Sequence, residues 1–128
     1  MVESGKSRHR SVLVIDDSDI DRQVMVELLS NAGYEVHDLP TAIGATRAAR
    51  QFEAQAVVID QNLPALNGAK LAALFRSNAN MKDIRVVLIS SNDEQTMAEL
   101  VKEARADAFV SKERMHSELV PTVRRLLP

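Results

Sequence analysis

The chain has no cysteine among its 128 residues. That excludes a disulfide framework, a thiolate metal site and a thiol nucleophile. There is no excess of one charge either. Sixteen Lys and Arg stand against 18 Asp and Glu, a formal net charge of -2, so nothing biases the chain as a whole toward nucleic acid. No apolar run approaches membrane-spanning length and no signal-peptide core is visible, which makes the cytoplasm the simplest location. Internal repeats and low-complexity segments are also missing. The composition that remains, 45% apolar and 27% charged, is that of an ordinary globule. A single domain of this size buries roughly two thirds of its unfolded surface and needs no covalent staples.

Residues 1–10 carry Lys6, Arg8, His9 and Arg10 among Ser and Gly, and predict a flexible solvated tail. Residues 11–128 predict the folded domain. Ser11–Ile15 reads as a buried strand that runs into Asp16 and Asp17. Ser18 suits an N-cap, with Asp21 three residues on, a shortened capping box. Ile20, Val24, Leu28 and Leu29 share one face of a helix from Asp19 to about Asn31, and Gly33 stops it. Residues 34–39 predict an edge strand. Thr41 suits the cap of a helix reaching about Phe52, packed through Ile43, Ala48 and Phe52, with Gly44 a mild weakness inside it.

Ala56, Val57, Val58 and Ile59 then run straight into Asp60, a buried strand with a carboxylate at its C-terminal end. Pro64 and Asn67-Gly68 mark an irregular loop. Residues 68–76 predict a helix packed through Leu71, Leu74 and Phe75, followed by a loop over 77–83. Val86 to Ile89 form a fourth strand that ends in Ser90-Ser91. Asp93 or Asn92 caps a helix in which Met97, Leu100, Val101 and Ala104 recur at helical spacing. Residues 108–110 predict a fifth strand, ahead of Ser111 and Lys112. The last helix packs through Leu119, Val123, Leu126 and Leu127. Pro121 predicts that it starts late or kinks.

Five alternations of strand and helix point to an α/β fold: a doubly wound, five-stranded parallel sheet with five helices on its two faces. Right-handed crossovers place every strand's C-terminal end on one edge. Asp16 and Asp17, Asp60, Ser90 and Lys112 follow different strands and converge there. Carboxylates about 4 Å apart repel by roughly 4 kcal/mol per pair at an effective dielectric near 20. One of them keeps a proton, or a cation sits among them. Oxygen ligands without His or Cys suit Mg²⁺ and argue against zinc. A metal-neutralised Asp beside an ammonium and a hydroxyl is suited to accept a phosphoryl group as an aspartyl-phosphate.

These motifs resemble those of the receiver domain of two-component response regulators, including the single-domain chemotaxis type. The resemblance covers about residues 11 to 127. It rests on Val14-Ile15-Asp16-Asp17, on Asp60 with Leu63-Pro64 and Asn67-Gly68, on Leu88-Ile89-Ser90-Ser91, and on Ala106-Asp107-Ala108-Phe109-Val110-Ser111-Lys112. It implies a flavodoxin-like sheet of order 2-1-3-4-5. It also implies that Asp60 takes the phosphoryl group from a histidine kinase or phosphotransfer protein. Asp17 and Asp60 would hold Mg²⁺ directly, with the backbone carbonyl of Asn62, and Asp16 would act largely through water. Lys112 would pair with the phosphoryl group, Ser90 would swing toward it, and Phe109 would turn inward in step. The output would be a changed surface on the fourth helix, fifth strand and fifth helix, controlling a target protein or a linked output domain. Asn62 and Asn92 would flank the path of the attacking water. The chain departs from the family pattern at Glu113, where Pro is usual, at Arg105, where Gly is common, and at Phe109, often Tyr.

Such a protein is a signalling module, not an enzyme beyond its own phosphorylation and slow dephosphorylation. Monomer and weak dimer both stay open, and neither direct nucleic-acid binding nor membrane contact is expected. Two rival readings share the residues: a pseudo-receiver that docks without being phosphorylated, and a haloacid-dehalogenase-like phosphohydrolase using the acid after the first strand. A calcium loop starting at Asp17 fails, because Arg22 and Leu28 stand where Gly and Glu are needed.

Overall fold

The structure, a computed structural model, describes residues 10–128. The expected tail falls on residues 1–9, outside the described residues, except for Arg10. Arg10 is tied down: its carbonyl accepts the Glu35 amide at 2.9 Å. The strands are β1 (Ser11–Ile15), β2 (Glu35–Leu39), β3 (Ala56–Asp60), β4 (Arg85–Ser90) and β5 (Ala108–Ser111). The helices are α1 (Asp19–Asn31), α2 (Ala45–Gln51), α3 (Gly68–Ser77), α4 (Glu94–Ala104) and α5 (Met115–Leu126). The sheet is parallel throughout, in the order β2-β1-β3-β4-β5. Strand order and helix number are those the resemblance implies.

Strand periodicity divides the core in two. Leu13, Ile15, Val57, Ile59, Val86 and Leu88 face α2, α3 and α4, where they meet Ala48, Leu71, Phe75 and Met97. Val12, Val14, Val58, Val87, Ile89 and Val110 face α1 and α5, and pack on Met25, Leu29, Leu119 and Val123. Central strands buried on both faces explain why β1, β3 and β4 read as unbroken apolar runs.

Two helix caps, Ser18 and Asp93, fall where the sequence predicts them, and Asn67, in a stretch that reads as a loop, adds a third. Ser18 accepts the Asp21 amide at 3.2 Å and Asp93 accepts that of Thr96 at 2.9 Å. Asn67 caps α3 by accepting the Lys70 amide at 2.9 Å. The second helix differs from expectation. Thr41 does not cap it; its hydroxyl accepts the Ile43 amide at 3.2 Å in a local turn. Gly44 is the cap residue, at φ 81, a conformation glycine adopts without strain.

Three expected packing residues lie outside the core. Ile20 is 77% exposed, Ile43 76% and Leu74 49%. Ile20 sits in the first turn of α1, past the end of β1, where the apolar stripe runs out of sheet to cover; Met25 and Leu29 are the buried pair. Ile43 belongs to the turn before α2. Leu74 is displaced from the buried stripe that Leu71, Ala72 and Phe75 form.

The last helix does not start late at Pro121 but continues through it. It runs from Met115 through Leu126 with the proline inside. Pro121 and Ser117 are both exposed, so water can reach the carbonyl that the proline leaves without its amide. Arg105 ends α4 in the left-handed region at φ 57, where a glycine would be less strained. Its carbonyl accepts Arg76 Nε at 2.8 Å. Arg76 also reaches the Lys82 carbonyl (2.9 Å), the Ile84 carbonyl (2.6 Å) and Asp107 Oδ2 (2.6 Å). This guanidinium joins α3 to the segments that precede β4 and β5.

Candidate functional site

The C-terminal ends of β1, β3, β4 and β5 meet at one edge of the sheet, as parallel strands with helical crossovers require. Asp16 ends β1 fully buried, its amide donating to the Leu39 carbonyl at 3.1 Å. One of its carboxylate oxygens, Oδ1, accepts the Ser18 amide at 2.9 Å. The other, Oδ2, lies 3.1 Å from Lys112 Nζ, but the approach is too oblique for a hydrogen bond. Asp17 beside it is exposed. Asp60 ends β3, also buried, with Oδ1 accepting the Asn62 amide at 3.0 Å and Oδ2 3.4 Å from Lys112 Nζ.

Oxygens of Asp16, Asp17 and Asp60 all lie within 4.8 Å of one another. The donor set is carboxylate only, and one buried oxygen has no hydrogen-bond donor. Both features fit a hard divalent cation that takes oxygen ligands. Burial pushes the Asp16 carboxyl up to about 6; repulsion from Asp60 adds to this, while the Ser18 amide and Lys112 work against it.

Ser90 is buried at the end of β4. Its oxygen accepts the Asn92 amide at 3.0 Å and Asn62 Nδ2 at 3.3 Å. Asn62 therefore links the Asp60 and Ser90 strand ends. Lys112 opens the short 3-10 turn after β5. Burial pushes its ammonium down, but the hydrogen bond it donates to Asp21, with the charges of Asp16 and Asp60 close by, holds it above the usual lysine range. Glu113 follows where the family has proline, and its amide is used: it donates to Ser111 Oγ at 3.2 Å. The turn is thus set by a side-chain cap that a proline, lacking that N–H, could not make.

Phe109 is half-buried against the α2–α4 side of the core. It borders a cavity of about 420 Å³ whose other walls include Asn92, Ser111 and Glu113. The candidate site residues Asp16, Asp17, Asp60, Asn62, Ser90, Phe109 and Lys112 thus lie at or beside this edge. One was missed. Asp21 reads as a capping residue, and its amide is used so, but its carboxylate reaches Lys112 Nζ at 2.8 Å, closer than Asp16 or Asp60. No local signal reveals a contact that spans 91 positions of sequence. Gln61 was also passed over. It is buried, and its Oε1 accepts the Ala69 amide at 2.8 Å, tying the first turn of α3 to the residue after Asp60.

Comparison with known proteins agrees with this geometry. The sequence profile of the response regulator receiver domain matches residues 12–124. The transcriptional regulatory protein GltR of Pseudomonas aeruginosa is 25% identical over 118 residues, 92% of this chain and 49% of that protein. The chain thus spans about half the length of that relative. The polar-differentiation response regulator DivK of Brucella ovis is 19% identical, over 92% of this chain and 96% of its own length. Among solved structures, chemotaxis protein CheY4 of Vibrio cholerae superposes with a TM-score of 0.85 at 23% identity, over 92% of this chain and 98% of that one. At that identity the likeness concerns the fold.

Proposed function

The chain belongs to the response regulator receiver domain family of two-component signalling, and from that premise we propose that it is a phosphorylation-dependent switch with Asp60 as its acceptor. The observation that carries this reading is the meeting of Asp60, Lys112, Ser90 and the Asp16–Asp17 pair from four separate strand ends. In the transfer, an Asp60 carboxylate oxygen bonds to phosphorus as the P–N bond of a phosphohistidine breaks. The electron pair leaves on the imidazole nitrogen, which takes a proton from solvent.

Asp17 and Asp60 with the Asn62 carbonyl, and Asp16 through water, are the residues that would hold Mg²⁺, which when bound supplies positive charge opposite the phosphoryl oxygens. Lys112, already 3.4 Å from Asp60, offers its ammonium to the same oxygens. The Ser90 hydroxyl exchanges its present asparagine partners for one of them, and the space it leaves admits the Phe109 ring. The response is a changed α4-β5-α5 surface. To move from 1% to 99% active, phosphorylation must favour that state by roughly 5.5 kcal/mol.

The donor is a histidine kinase or phosphotransfer protein. The receiver of the signal is a target protein or a linked output domain. No helix of the described residues is long and apolar enough to cross a membrane, and a cytoplasmic site of action accords with a kinase partner. The test is intact mass after incubation with Mg²⁺ and acetyl phosphate, with Asp60→Ala alongside. One added phosphoryl group, absent in the variant and absent without Mg²⁺, is the expected result. No gain by wild type would overturn this reading in favour of a docking module, and catalytic release of phosphate from monoesters would favour a hydrolase.

A further inference from the structure

Lys112 is the cation on which the site depends, and it leans away from the acceptor. Its Nζ is 2.8 Å from Asp21 Oδ2 and 3.4 Å from Asp60 Oδ2. The first is a short charge-assisted hydrogen bond; the second is at the outer limit of one. Asp21 is not held loosely. It lies in the first turn of α1, where its own amide donates to Ser18 Oγ, and Arg22 beside it fixes the same turn by donating to the Asp16 carbonyl at 2.7 Å. Among the described residues no other cation pairs with Asp16, Asp21 or Asp60. The one side-chain cation available to a dianionic group on Asp60 is therefore the ammonium that Asp21 already holds.

We propose that Asp21 is a positioning residue that restrains Lys112, and so lowers the affinity of the site for a phosphoryl group. The proposal rests on the phosphoacceptor reading of Asp60 and adds to it a restraint supplied by α1. Two effects act in the same direction. The Asp21 carboxylate competes for the ammonium, and its charge adds to the repulsion the phosphoryl group meets from Asp16 and Asp17. Removing it frees Lys112 to turn fully to the phosphoryl oxygens. The phosphorylated state then gains in lifetime and in occupancy at a given donor concentration. Asp21 touches neither the phosphorus nor the acceptor, so its whole effect passes through Lys112 and the local field.

The probe is beryllofluoride, which places a tetrahedral anionic group on an aspartate, titrated at saturating Mg²⁺ and followed by fluorine NMR. Asp21→Asn is expected to bind it about fivefold more tightly than wild type, the size of effect for a partly exposed ion pair at the strong end of its range. Asp21→Ala serves as a second variant that removes the same contact. Asp19→Asn is the control, because Asp19 is an exposed acid of the same helix turn that pairs with Arg22 at 2.7 Å. It is expected to leave the affinity unchanged. The gain in Asp21→Asn should persist in high salt, since a direct pair is screened less than a diffuse field. Equal or weaker binding by both Asp21 variants, or an equal gain in Asp19→Asn, overturns the proposal while wild-type binding still upholds the acceptor. Failure of wild type to bind the probe at all overturns both.

Discussion

Gly68 opens α3 directly against the strand end that carries Asp60, and a single methyl group there tests how tightly the acceptor is held. A Cβ built at Gly68 falls 2.7 Å from the Asp60 carbonyl oxygen, 2.8 Å from Gln61 Cα and 3.1 Å from the Asp60 carbonyl carbon. Comfortable separations for such pairs are about 3.3 to 3.8 Å, so the two backbones must part by roughly 0.6 Å. None of the three atoms can rotate aside. The helix cannot retreat freely either, because the Gly68 amide donates to the Gln61 carbonyl at 3.0 Å and the Ala69 amide to Gln61 Oε1 at 2.8 Å. Overpacking of this kind costs about 1–3 kcal/mol, and the rigidity of both sides puts Gly68→Ala at about 2 kcal/mol after the better helix propensity of alanine is counted. With a urea m-value of about 1.5 kcal/mol/M, the unfolding midpoint falls by a little over 1 M. Far-UV circular dichroism in a urea series reads it directly. Gly33→Ala separates clash from backbone strain: Gly33 has φ 101 but nothing within 4 Å of a built Cβ. It should cost only about 1 kcal/mol. A Gly68→Ala midpoint equal to wild type, or one above that of Gly33→Ala, would refute the close approach.

Two further perturbations address charge. Arg76→Ala removes four hydrogen bonds from a mostly buried guanidinium and strips Asp107 of its shortest ion pair, so unfolding free energy should drop by about 3 kcal/mol, with Arg76→Lys recovering little; full rescue by lysine would show that charge alone matters. Without divalent cations, Asp16 holds its proton to about pH 6 in the folded state against an ordinary value of 3.8, because burial disfavours the carboxylate. The folded state binds that proton more tightly. The group's contribution to stability is therefore complete below about pH 4 and is lost as pH rises through about 6, some 3 kcal/mol across the window. Urea midpoints of wild type minus Asp16→Asn, taken from pH 4 to 7, should show this fall; parallel curves would contradict it.

Much of the molecule was legible along the chain. The runs Leu13 to Ile15, Val57 to Ile59 and Val86 to Ile89 announce central strands because both of their faces are buried. Each ends in a polar residue at the shared edge, so the alternation of elements alone places Asp16, Asp60 and Ser90 together. Ser18 and Asp93 act as caps because that hydrogen bond is local, made three residues along. Helix periodicity was less dependable. It gave Ile20 a place on the right face of α1 but carried no information on where the sheet beneath it ends, and Ile20 is exposed.

Features that depend on neighbours along the chain could be read from it directly: strand and helix order, the caps at Ser18 and Asp93, and the acids, hydroxyl and lysine at the strand ends. Other features arise between residues far apart in sequence and emerge only in the folded chain. Asp21 meets Lys112 across 91 positions, Arg76 meets Asp107 across 31, and Gly68 is required because α3 starts against the backbone of Asp60. The physical reason is the same in each case. A hydrogen bond or a steric contact is fixed by distance in space, and the sequence specifies that distance only through the packing of the whole fold.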